Sequence, residues 1–127
     1  MINFNKNSVW DLKPIELSAV RDEVKGLLVL DENVISAFKT IRDQLIFTNK
    51  RIIAIDIQGL TGTRKSFASM PYSKIEFFTI QTPGFGELIS DSELILMFSN
   101  GFVATFEFKG NVDIGKIGRT ISEYVIK

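Results

Sequence analysis

Gln44-Leu45-Ile46-Phe47-Thr48-Asn49-Lys50-Arg51-Ile52-Ile53-Ala54-Ile55-Asp56-Ile57 is the stretch on which the fold turns. Two apolar-rich runs, Gln44 to Thr48 and Arg51 to Ile57, flank the polar dipeptide Asn49-Lys50. Short strand-like runs around a two-residue break read as a tight β-hairpin.

Working outward, Val34 to Ile41 reads as a strand before this hairpin. After it, Gln58-Gly59-Leu60-Thr61-Gly62 is a turn with two glycines. Lys65 to Met70 is a further strand, limited by Pro71, and Ser73 to Thr82 is the next. Glu93 to Phe98 and Phe102 to Phe108 follow, joined by Ser99-Asn100-Gly101, the strongest hairpin signal in the chain. That makes seven strands. The last alternates most cleanly: Phe102, Ala104, Phe106 and Phe108 share one face, while Val103, Thr105 and Glu107 share the other. A slip of one residue would put three Phe into water, so its register is firm.

The chain closes on a helix expected over Val112 to Ile126, with Asn111 as N-cap and Asp113 near the positive end of the helix dipole. Ile114, Ile117, Ile121 and Val125 form its apolar stripe. Gly115 and Gly118 each cost about 1 kcal/mol against Ala inside a helix, which points to close approach of another backbone. A second amphipathic helix is expected over Pro14 to Lys25. There Pro14 suits a first turn, and Leu17, Val20, Val24 and Leu27 follow at helical spacing. Gly26 marks its end, and Asp31-Glu32-Asn33 reads as a turn. The expectation is one mainly β domain over residues 1–127: a helical extension over 1–33, strands over 34–109 and a capping helix over 111–127.

Composition narrows the function. Of 127 residues 45% are hydrophobic, eleven of them Phe, enough for a core without staples. There is no Cys, which removes disulfides, thiolate nucleophiles and cysteine metal sites. There is no His, so the commonest general base and metal ligand is missing. Fifteen basic residues balance fifteen acidic ones, so no global field draws in nucleic acid or an anionic membrane. Residues Met1 to Trp10 hold no signal-like apolar run, which makes a cytoplasmic location the default expectation.

The run from Arg42 to Ile53, then Asp56-Ile57-Gln58-Gly59-Leu60-Thr61-Gly62, Met70-Pro71-Tyr72-Ser73-Lys74-Ile75 and Asp91-Ser92-Glu93-Leu94, resembles the bacterial pleckstrin-homology-like family over nearly the whole chain. One departure is Thr82-Pro83-Gly84, where a small residue is expected in place of the proline. The resemblance implies a seven-stranded, strongly bent sheet or partly open barrel, closed at one end by the C-terminal helix and extended by an N-terminal helical segment. It implies non-catalytic modules without a cofactor. It also implies homo-oligomers, rings among them, and room for other protein partners.

Candidate sites come in several kinds. Gly59-Leu60-Thr61-Gly62-Thr63-Arg64-Lys65-Ser66 echoes a phosphate-binding loop, but Arg64 stands where the second glycine is needed and a strand follows in place of a helix. Lys39, Arg42, Lys50, Arg51, Arg64 and Lys65 cluster at strand ends and are candidate contacts for an anionic lipid or phosphate. The plainer reading is solvated strand ends neutralised by Asp43 and Asp56. Phe85, Leu88 and Ile89 are apolar within an irregular stretch, and either fill a partner's groove, fold back on their own core or, over Glu87 to Ile89, extend a strand. Free strand edges, such as that of Lys65 to Met70, offer pairing to another chain. Asp91-Glu93 and Asp22-Glu23 lack partners set for acid–base work, and no acidic cluster lies in a metal-loop pattern. Trp10 reads as packing for the N-terminal arm.

Overall fold

The hairpin at the centre of the sequence forms as read, and the rest of the sheet is laid down on either side of it. The computed structural model describes residues 2–3, 8–58, 64–82, 91–110 and 112–126. Along them run β1 (Ile2–Asn3), β2 (Ser8–Ile15), a 3-10 turn (Leu17–Ala19), α1 (Asp22–Lys25), β3 (Val34–Lys39), β4 (Gln44–Thr48) and β5 (Arg51–Gln58). Then come β6 (Arg64–Pro71), a second 3-10 turn (Tyr72–Lys74), β7 (Ile75–Gln81), β8 (Ser92–Phe98), β9 (Val103–Phe108) and α2 (Ile114–Val125). The seven expected strands are β3 to β9.

Neighbouring strands follow the order β6-β5-β4-β3-β2-β9-β8-β7, with β1 paired to β2. The sheet is therefore mixed and open, its two ends being β6 and β7. Strand β2 joins its halves. Its first part runs parallel to β9, with Ser8 opposite Thr105 and Val9 opposite Phe106. The register then shifts before Leu12 meets Phe108. Asp11, at φ 59°, occupies that irregularity, a left-handed conformation that Asp tolerates better than most residues. Beyond it the strand runs antiparallel to β3, with Lys13 opposite Lys39 and Ile15 opposite Ala37.

This corrects the expected helix from Pro14 to Lys25. Pro14 and Ile15 belong to β2, and past Leu12 the strand has β3 alone beside it, an edge where a residue without N–H is tolerated. The apolar spacing that suggested one helix is divided between the 3-10 turn and the single turn of α1, separated by the extended backbone of Val20 and Arg21. Val20 and Val24 are still buried, while Leu17 and Leu27 are exposed.

Alternation sorts the side chains into two cores. Phe38, Leu45, Phe47, Ile52, Leu94, Leu96, Phe106 and Phe108 fill the inside of the bend with Ile117 and Ile121 of α2. Phe38 meets Phe47 and Phe108 edge-on, with ring centroids 5.8 and 4.8 Å apart. On the other face of β3 to β5, Ala37, Ile46, Ile53, Ile55 and Ile57 are covered by Val20 and Val24. Strands β4 and β5 thus have both faces buried, which explains their nearly continuous apolar sequence.

Asp113 caps α2, its Oδ1 accepting from Lys116 N at 3.0 Å; the expected cap Asn111 lies outside the described residues. Gly118 does face a close neighbour, but a side chain: a Cβ there would stand 2.8 Å from Ile80 Cδ1. Gly115 is exposed and approaches no other element. Tyr72 links the second 3-10 turn to the helix. It stacks on Tyr124 with centroids 5.2 Å apart, and its hydroxyl donates to Thr48 O at 2.8 Å. Burial pushes the Tyr72 phenol well above its ordinary value.

Candidate functional site

Three features of this architecture bear on function: the free sheet ends, the cover over the outer face of β3 to β6, and a cleft at one end of the strands.

The sheet ends are β6 and β7, neither of which has a further strand beside it among the described residues. Strand β6, the edge candidate named from sequence, pairs with β5 along its whole length, from Arg51 opposite Pro71 to Gln58 opposite Arg64. None of its side chains is fully buried. Phe67, opposite Ile55, points outward and is 42% exposed. On β7, Phe77 is 50% exposed and stands opposite Met97, which in turn stands opposite Val103. These three make one half-exposed apolar row across β7, β8 and β9.

The cover is fastened by charge and by one amide. Arg51 Nε donates to Glu32 Oε2 at 2.9 Å and Nη2 to Oε1 at 3.0 Å. The same guanidinium reaches Leu27 O at 2.8 Å and Ser69 Oγ at 3.1 Å. Burial alone would raise the Glu32 carboxyl. The hydrogen bonds from Arg51, Val29 N and Thr48 Oγ1 outweigh it and hold the group below the usual carboxylate range. Lys65 bonds Glu23 of α1, and that contact, with help from Arg21, lowers the Glu23 carboxyl to about 2. Gln44 accepts from Arg21 N at 3.0 Å and donates to Ala19 O at 3.1 Å.

The six basic residues singled out from sequence, three pairs at separate strand ends, are divided between the cover and the opposite ends of the strands. Arg51 and Lys65 are engaged with Glu32 and Glu23. Lys50 sits at the β4–β5 turn, one whole strand, about 15 Å, away from the β3–β4 turn. Lys39 and Arg42 lie at that β3–β4 turn, and Arg64 begins β6 at the same end. There the structure forms a cleft of about 690 Å³ lined by Lys13, Lys39, Ile41, Arg42 and Lys109, with Asp11 and Asp43. Sequence reading missed Lys13 and Lys109. The signal that locates them is the register of β2, which the expected helix had concealed.

Other candidates are also placed. Asp91 accepts from Gly110 N at 2.9 Å and from Lys109 Nζ at 3.5 Å, and the Gly110 contact foremost lowers its carboxyl. Glu93 stands directly opposite Glu107. Burial, then the nearby Asp91 and Asp11 carboxylates, raise Glu107. No group of three or more metal-binding side chains occurs among the described residues, and none of their helices is long and apolar enough to cross a membrane. Phe85, Leu88 and Ile89, the Gly59 to Thr63 turn and the Trp10 side chain lie outside the described residues.

A mixed, open sheet in which the seven strands β3 to β9 are joined in the middle by the N-terminal strand β2, packed on a C-terminal helix, defines a pleckstrin-homology-like scaffold. The sequence matches the bacterial PH domain family over residues 3–125, and the chain belongs to that family. It is similar to a DUF1696 family protein with a pleckstrin-homology domain from Shewanella loihica PV-4. That structure is 32% identical with a TM-score of 0.78, covering 91% of this chain and 98% of that one. A pleckstrin homology domain from Shewanella amazonensis SB2B is 34% identical with a TM-score of 0.65, covering 89% and 90%. Among curated relatives, the uncharacterized protein YjqA of Bacillus subtilis (strain 168) is 41% identical over 85 residues, which are 67% of this chain and 66% of YjqA. YozO of the same organism, also uncharacterized, is 31% identical over 103 residues, 81% of this chain and 87% of YozO.

Proposed function

We propose that this domain is a non-catalytic binding and assembly module that associates with further copies of itself through the ends of its sheet. The observation that carries the reading is the pair of strands β6 and β7, each without a further strand beside it among the described residues and each bearing an exposed phenylalanine, Phe67 or Phe77. An unpaired edge presents N–H and C=O groups in register for another strand, and outward aromatic side chains add apolar area to that contact. Because the two ends differ, joining β6 of one copy to β7 of the next is a head-to-tail contact, which closes into a ring when the rotation allows. Phe85, Leu88 and Ile89 enter the proposal on their sequence character alone. The non-catalytic half of the reading is supported by a chain without His or Cys.

Sedimentation velocity over a wide concentration range tests it. The expected result is a discrete species of several chains that persists at micromolar protein; a single-chain species throughout rejects self-association.

A further inference from the structure

The outer face of β7, β8 and β9 carries a separate inference, because its side chains change character along the strands. The ladder aligns three rungs. Phe77, Met97 and Val103 form the first. Thr79, Ile95 and Thr105 form the second, and Gln81, Glu93 and Glu107 the third. Leu94, Leu96, Phe106 and Phe108, one residue out of step, point into the core, and α2 packs on that inner side. Neither core takes in a residue of the three outer rungs. The face therefore runs from an apolar end to an acidic one.

The acidic end is short of cations. Glu93 stands directly opposite Glu107, and like charges so placed destabilise a strand pair. Neither forms an ion pair among the described residues. Asp11, in the irregularity of β2, adds a further negative charge that acts on Glu107. Lys109 is shared with Asp91 at 3.5 Å, and Lys13, beyond the irregularity, stands against β3.

We propose that this face docks an amphipathic helix of a partner protein, with apolar side chains toward one end and lysine or arginine toward the other. The dimensions fit a helix laid along the strands. From β7 to β9 is two strand spacings, about 10 Å, and a helix is about 10–12 Å across. From Met97 to Glu93 is four strand residues, about 13 Å, so the partner's cations follow its apolar anchors by about eight residues on the same helix face. A cation lodged between Glu93 and Glu107 relieves their repulsion while the anchors cover the apolar rung. The charge pattern then selects this partner over a purely apolar one. The inference does not rest on assembly through the sheet ends, since Met97, Glu93 and Glu107 belong to the inner strands β8 and β9.

Selection from a phage-displayed library of randomised helical peptides on the immobilised chain tests this, followed by fluorescence anisotropy with the enriched peptide. The expected peptides carry apolar anchors and, about eight residues on, Lys or Arg. Their affinity is expected to fall about fivefold in each of Glu93→Gln and Glu107→Gln and about tenfold in Met97→Ser, with Lys50→Gln as the unchanged control. Glu93→Gln and Glu107→Gln melt no lower than the parent, because they remove repulsion, so weakened binding there is not unfolding. The double variant Glu93→Lys, Glu107→Lys is expected to lose the peptide and to bind its counterpart with glutamate in place of the cations. No enrichment, enriched peptides without cations, or affinity indifferent to Glu93 and Glu107 overturns the proposal. Self-association of the parent that is lost in Met97→Ser assigns the face to a second copy and overturns it as well.

Discussion

Arg51 and Glu32, nineteen residues apart, form a two-pronged ion pair at 2.9 and 3.0 Å in which the carboxylate side chain is wholly buried. The pair fixes the turn after α1 to the start of β5, so it holds the cover rather than a ligand.

Replacing Arg51 by Met leaves a buried carboxylate without its cation. The expected cost is about 3 kcal/mol of unfolding free energy, measured by urea denaturation. Glu32→Gln costs less, because its amide oxygen still accepts from Val29 N. A loss below about 0.5 kcal/mol in Arg51→Met would show that the pair is ornamental.

The same carboxylate sets an acid limit. Because the folded state lowers its pKa, the stabilisation is complete above the unfolded value of 4.5 and is lost as pH falls through the lower folded value. The melting temperature is expected to fall with pH below about 4.5, and less steeply in Glu32→Gln than in the parent. Parallel curves for the two proteins would assign the acid loss to other carboxylates.

Gln44 is the amide that fastens the 3-10 turn to α1. In Gln44→Leu the N–H of Arg21 and the carbonyl of Ala19 lose their partner. The expected destabilisation is about 1–3 kcal/mol, with hydrogen exchange faster over residues 17–28 than over β8 and β9. Uniform acceleration would mean that the cover does not open separately from the sheet.

The two helix glycines are expected to respond unequally. Gly115→Ala gains helix propensity, about 1 kcal/mol, because its Cβ meets nothing closer than 3.4 Å. In Gly118→Ala the new Cβ would stand 2.8 Å from Ile80 Cδ1, the end of a half-buried flexible side chain that must shift, so a smaller gain than at Gly115 is expected. Adding Ile80→Val removes that methyl and is expected to bring the Gly118→Ala gain closer to that of Gly115→Ala. Thermal melts of the three variants read the difference, and equal gains at the two glycines without Ile80→Val would show that the contact costs nothing.

Much of this scaffold is legible in the chain because local rules act on contiguous residues. Gln44 to Thr48, and the alternation from Phe102 to Phe108, mark strands whose ends fall within a residue or two of the observed ones. The stripe of Ile117 and Ile121 likewise places α2. The N-terminal part resists reading for a physical reason. Leu17, Val20, Val24 and Leu27 keep helical spacing, yet Gln44 holds Ala19 and Arg21 in a break from a distance of more than twenty residues. Strand β2 owes its state to β9, nearly a hundred residues on, and nothing in Ser8 to Ile15 names that partner. The candidate sites divide the same way. Lys39 and Arg42 are visible beside a turn, whereas Lys13 and Lys109 join them only through register. Arg51 and Lys65 look free in sequence because Glu32 and Glu23 come from outside their strands.

The most direct measurement of whether the sheet ends assemble is light scattering on the parent chain beside the double variant Phe67→Lys, Phe77→Lys. Lysine at an exposed edge position opposes strand pairing while leaving the inner core untouched. The expected result is a multiple of the chain mass for the parent and a single-chain mass, with unchanged circular dichroism, for the variant. A parent of single-chain mass at every concentration, or a variant that assembles as the parent does, would contradict it.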